Sequence, residues 1–173
     1  SRRGAADPYA HLAYEAIDSF VKDKEELTGR DVPFSLTSQK AGAFVTIHEF
    51  DQLRGCIGTT VATQTNLGKE IIANAIAACS QDPRFLPIQP KEVPYLEVSV
   101  DVLSAIEPVT SLAELNPHKY GVIVENNGKR GLLLPDLSGV ETVDDQIAIA
   151  KKKAGIEPDE PVKLSRFTVV RHE

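Results

Sequence analysis

The chain has 173 residues, 42% of them hydrophobic and 25% charged, enough for one apolar core in one domain or one domain with two lobes. A formal net charge of −6 and a pI near 5.3 argue against a general nucleic-acid binder, which needs a basic field. No apolar run approaches about 20 residues, so no membrane span is expected; two cysteines and no Asn-x-Ser/Thr sequon point to a reducing cytoplasm.

Methionine is absent, even at position 1. Either the initiator is removed before Ser1 or the sequence is cut from a longer chain; in the second case residues 1–7 read as a tag or linker remnant before a single domain at 8–173. Asp7-Pro8 is a helix start, and Leu12, Ala16, Ile17, Phe20 and Val21 follow at helical spacing. A helix is predicted over 8–27, stopped by Gly29. "AGAFVTIHEF" alternates as a strand, Glu49 to Gln52 turn the chain, and "LRGCIGTTVA" reads as a second strand with glycines inside it. Such glycines mark a bulge, a bend or the close approach of another backbone.

Asn66 caps a helix that carries Leu67, Ile71, Ala75, Ala78 and Cys79 on one face, and "QDPRFLPIQPKEVPY" ends it with four prolines. "LEVSVDVLS" is a strand with Val98, Val100 and Val102 on one side. Residues 108–119 are a candidate hinge between two lobes and hold one short helical turn. "YGVIVENNGKRGLLLP" is a hairpin turned at Asn127-Gly128. Thr142 caps a last helix with Val143, Ile147, Ala150 and Ala154 inward, Lys151 to Lys153 solvated and Gly155 as its stop. "PVKLSRFTVVRH" is a closing strand. Strands and helices do not alternate strictly and no glycine-rich phosphate loop follows a strand. The expected fold is therefore α+β: a largely antiparallel sheet flanked by helices, in two unequal lobes.

Cys56 lies between Gly55 and Gly58, with Arg54 two residues earlier. Residues 54 and 56 of a regular strand share a face, so Arg54 is placed to favour a thiolate, and the glycines let backbone N–H groups or a ligand come close. The competing reading is a small buried hydrophobe. A hydrolase would also need a base; among His11, His48, His118 and His172 no spacing identifies one, and His48 is the first to test if its strand face borders Cys56. Arg84 in "DPRF" either pairs with Asp82 in a turn or binds an anion. Cys79 occupies a helical core position. No CxxC, HxxxH or HExxH occurs, so no metal site is expected.

"LRGCIG" at 53–58 resembles the signature hexapeptide of the AMMECR family, whose bacterial members are called AmmeMemoRadiSam system protein A. "DPRF" at 82–85, "EVSVDVLS" at 97–104, the hairpin at 120–137, "QIAIAKKKAGI" at 146–156 and "RFTVVRH" at 166–172 are similar to the family too. Related bacterial sequences often carry His-Gly before the hairpin; here Tyr120-Gly121 stands there and His118 lies two residues earlier, so a role for that histidine does not carry over directly. The resemblance implies an α+β fold with two unequal lobes, no settled reaction, and a site at the signature loop. It also implies work beside a Memo-like protein, itself similar to class III extradiol dioxygenases, and a radical SAM protein, with the first sometimes fused to this domain. Iron or radical chemistry would then belong to those partners, and no cofactor is evident in this chain. Two functions follow. One is a ligand- or partner-binding subunit using Arg54, Gly55, Gly58 and Arg84. The other is a cysteine-dependent enzyme using Cys56, with His48 as base, on a small anionic substrate.

Overall fold

The computed structural model describes residues 3–173. The chain forms two compact units, one running up to Leu103 and completed by Val170–Glu173, the other spanning Ser104–Val169. The division falls at Leu103, not within 108–119, which lies wholly inside the second unit.

In the first unit, helix α1 (Pro8–Asp23) starts where Asp7 Oδ1 accepts the N–H groups of Tyr9 and Ala10, both at 3.0 Å. Leu12, Ala13, Ala16, Ile17 and Val21 form its buried stripe. It ends well before Gly29. Lys24 adopts the left-handed conformation at φ 58°, and its N–H returns to Ser19 O. Strands β1 (Ala43–Glu49), β2 (Gln52–Gly58), β3 (Leu96–Leu103) and β8 (Val169–His172) form a sheet in the order β2-β1-β3-β8. Helix α2 (Leu67–Ser80) and α1 bury Leu12, Ile17, Leu67 and Ile71 in one core with Val45, Ile47, Val98 and Val100. Each such side chain contributes about 1.5–3 kcal/mol when fully buried.

The second strand was expected to run to residue 62 and stops at Gly58. The cause is Glu70, 1% exposed on α2. Its carboxylate accepts from Thr59 Oγ1, Thr63 N, Thr63 Oγ1 and Gln64 N at 2.5–3.0 Å. Those bonds draw residues 59–64 onto the helix instead of along the sheet.

In the second unit, β4 (Glu107–Val109), β5 (Gly121–Asn126), β6 (Lys129–Leu133) and β7 (Lys163–Phe167) form a sheet in the order β4-β7-β5-β6. Helix α3 (Val143–Ala154) packs on it, burying Val122, Val124, Leu133 and Ala150. Thr142 Oγ1 caps α3 and Gly155, at φ 72°, ends it. The inward face also carries Gln146, fully buried, whose amide donates to Tyr120 O at 2.9 Å. Lys151 and Lys153 are not merely solvated: their ammonium groups bind Pro158 O, Glu160 O and Leu132 O.

The closing strand divides at Thr168, β7 joining the second sheet and β8 the first. Arg171 of β8 donates to both oxygens of Asp101, a carboxylate 1% exposed on β3, at 2.8 and 3.3 Å. His172 stacks on Tyr9 and its Nδ1 lies 2.7 Å from Asp7 Oδ2. The expected single sheet is thus two, and the strand pairs β1–β2, β1–β3, β4–β7, β5–β6 and β5–β7 are all antiparallel. Near the amino end, Arg3 pairs with Asp18 and sits over the Tyr14 ring.

Candidate functional site

The β1–β2 hairpin turns through Phe50 and Asp51, both at positive φ (51° and 62°). Ile47 pairs with Gly55 and His48 with Leu53, so Arg54 is a bulge with no partner in register. The alternation that would put Arg54 and Cys56 on one face is broken there. Arg54 instead donates through Nε and Nη2 to the two oxygens of Glu92, at 2.9 and 3.3 Å. Both side chains are less than one-fifth exposed, so this cation is committed. Burial works against an ionised Glu92, yet Arg54 and the Gln89 N–H hold its pKa below the usual value. Burial and the nearby Glu92 carboxylate raise that of Glu49.

Cys56 pairs with Thr46 across β1–β2. Its backbone N–H leaves the sheet edge and donates to Asp82 Oδ2 at 2.9 Å. The Thr46–Cys56 pair is therefore of the non-hydrogen-bonded kind, in which opposed side chains come closest. Thr46 Oγ1 and Cys56 Sγ are 3.2 Å apart. Cys56 is half-buried and Cys79 fully buried, and neither forms a disulfide. Cys79 packs in α2 as expected, where burial pushes its thiol up to about 11.

Asp82 and Arg84 form the turn ion pair that the short spacing suggested. Asp82 Oδ1 accepts Arg84 N and Nε at 3.0 Å, and Oδ2 accepts Arg84 Nη2 at 2.8 Å. These bonds, joined by the Cys56 N–H, hold the Asp82 carboxyl well below the usual carboxylate range against the opposing effect of burial. The Asp82 side chain is 2% exposed and that of Arg84 54%. Asp82 also raises the Arg84 pKa, as does, more weakly, the charge available at Cys56. Both guanidinium groups lie over the Phe85 ring, Arg54 Cζ at 6.0 Å and Arg84 Cζ at 5.4 Å from its centroid.

The glycines of the motif serve close approach. A Cβ on Gly55 would meet Ala78 O of α2 at 2.2 Å, and one on Gly58 would meet the Phe44 ring at 2.2 Å. The Cys56 N–H between the two glycines is taken by Asp82. His48 follows Thr46 on the same face of β1, the face that Cys56 borders, in register with Leu53 and Glu97; His11 bonds Glu15. His118 lies by Asp136 and Glu141, and His172 by Asp7. Sequence reasoning missed Thr46 and Glu92. The Gln89–Glu92 capping box is a readable signal for Glu92, masked by the prolines around it. Among the described residues no group of three His, Cys, Asp or Glu is placed to hold a metal ion, and no helix is long and apolar enough to cross a membrane.

An α+β protein with two antiparallel sheets and a cysteine on an edge strand, held by a buried aspartate, is the class that this fold and site define. The AMMECR1 family model matches residues 10–172, and the chain belongs to that family. It is 50% identical over 169 residues to a protein of Thermotoga maritima, covering 96% of this chain and 97% of the relative. A Clostridium acetobutylicum protein is 41% identical over 177 residues; the match takes in all of this chain but 37% of that longer relative. The crystal structure of an uncharacterised protein from Pyrococcus horikoshii superposes with a TM-score of 0.85 at 30% identity, covering 94% of this chain and 88% of that one.

Proposed function

We propose that the chain is a cytoplasmic ligand- or partner-binding subunit whose site is formed by Cys56, Thr46 and Arg84 around Asp82. One observation carries the reading. Asp82 Oδ2 receives both the Cys56 N–H and Arg84 Nη2, which holds a half-exposed guanidinium beside the backbone of a half-buried cysteine. Both arginines pair with a carboxylate through Nε and Nη2, but Arg84 is 54% exposed and Arg54 only 17%, so Arg84 takes the anion-holding role. The subunit works with a Memo-like and a radical SAM protein, and chemistry at iron or a radical belongs to those partners. Support for the partners is the family resemblance alone.

A cysteine-dependent enzyme acting on a small anion is the second reading, favoured by Arg84 beside the thiol. Against it, the thiol bonds Thr46, which has no basicity near neutral pH, and the Cys56 N–H is not available to an oxyanion. Iodoacetamide labelling followed by peptide mass mapping tests the site. Cys56 should be alkylated in the native chain and Cys79 only in urea. A native chain in which Cys56 resists alkylation as Cys79 does would overturn both readings.

A further inference from the structure

The site so read leaves its ligand unnamed. We infer that it accepts small disulfides that carry a carboxylate, by thiol–disulfide exchange at Cys56, with Arg84 selecting the carboxylate; this rests on the reading of Cys56 and Arg84 as one site.

The thiol has the surroundings that exchange needs. The attacking species is the thiolate, which is favoured by positive charge, a hydrogen-bond donor and access. The Thr46 hydroxyl lies 3.2 Å from the sulfur and can donate to it once the thiol proton leaves. The Cys56 nitrogen and Arg84 Nη2 are 2.9 and 2.8 Å from the same Asp82 oxygen, hence at most 5.7 Å apart. An incoming group bound to Arg84 is therefore held near the Cys56 backbone nitrogen, itself three bonds from the sulfur.

The selecting group is just as well defined. Asp82 engages the Nε and Nη2 edge of the Arg84 guanidinium. The remaining edge, Nη1 with the second N–H of Nη2, is a two-donor fork that matches a carboxylate. Asp82 fixes the plane of that fork from one side, and the Phe85 ring lies 5.4 Å from Arg84 Cζ. Nearby charge limits the preference without supplying a rival acceptor: Glu92 is occupied by Arg54, and the Asp82 carboxylate offsets part of the Arg84 charge, so the selection rests on the directed two-donor edge.

The step balances without another reagent. The Cys56 thiolate attacks one sulfur of the incoming disulfide, a new S–S bond forms and the old one breaks. The other half departs as a thiolate and takes up a proton. The small disulfide is the oxidant and is reduced by its loss of one half; a second small thiol reverses the step. Cys79 sits in the core of α2, so the adduct persists until an external thiol removes it.

The test compares three alkyl disulfides on the native chain by intact mass. They are a dicarboxylate (dithiodipropionate), a neutral one (hydroxyethyl disulfide) and a dication (cystamine), each rate normalised to that of the urea-unfolded chain. The dicarboxylate should react about tenfold faster than cystamine, as expected for one charge pair near the surface. Arg84→Gln should bring the rates together, and Arg84→Lys should leave a smaller preference because the fork is gone. If Arg84→Gln does not fold, the native chain still decides: the preference must collapse in about 1 M salt. No adduct with any reagent would overturn the site itself. Adducts without charge preference, or a preference that survives Arg84→Gln or high salt, would overturn only the selection by Arg84.

Discussion

The two hairpins, β1–β2 and β5–β6, solve one packing problem in the same way. In each, a glycine of the second strand faces the carbonyl of an alanine on the next helix: Gly55 against Ala78 O and Gly131 against Ala150 O, both 2.2 Å from where a Cβ would stand. Each turns through two residues at positive φ, Phe50-Asp51 in one and Asn127-Gly128 in the other. What differs is what surrounds the glycine. In β6 the neighbours are Arg130, which pairs with Glu125, and Leu132. In β2 they are a bulged arginine bound to Glu92 and a cysteine bound through its N–H to a buried aspartate. Packing accounts for the glycine in both hairpins. It does not account for Cys56, which is why the site is placed there and not at the glycines.

The largest effect should come from the shared device. Gly55→Ala and Gly131→Ala each push a methyl group into a helix backbone and should each cost about 2–3 kcal/mol, read by urea denaturation. A cost at Gly55 well below that at Gly131 would break the parallel. Next is Asp82→Asn, which weakens the bonds to Arg84 and the Cys56 N–H and should cost about 1–2 kcal/mol near neutral pH. The Asp82 pKa is lowered on folding. Its stabilisation is therefore present above the ordinary carboxylate pKa of about 3.9 and is lost as pH falls through the lower folded value. The gap between Asp82→Asn and the parent should stay level from about pH 8 to 5 and close only in stronger acid. Smallest is the turn. Phe50 is 71% exposed and left-handed, and its ring meets Tyr95 at 5.2 Å; Phe50→Gly relieves the backbone and loses that contact, so the net change should be within about 0.5 kcal/mol. Asn127→Gly should likewise change thermal stability little, because asparagine already tolerates that conformation.

The sequence carried the local features and missed the distant ones. Asp82 and Arg84 are two residues apart, and their ion pair follows from the turn. The glycines marked close approach correctly, but nothing in them named Ala78 or Phe44. Arg54 and Glu92 are 38 residues apart, and only the register shift at Ile47/His48 brings them together. Lengths failed where one side chain overruled a pattern. The alternation past Gly58 gave way to the pull of Glu70, and helical spacing past Asp23 gave way to a left-handed lysine. The division at Thr168 had no signal at all, since the alternation of "LSRFTVV" runs straight through it.

That division sets an order of assembly on the ribosome. Every strand of the second sheet is polymerised before β8, so that sheet has all four of its strands while the first still lacks one. Until Arg171 is added, the Asp101 carboxylate has no guanidinium to meet it, and until His172 follows, Tyr9 lacks its stacking partner. The half of the molecule that is made first is therefore the half that is finished last.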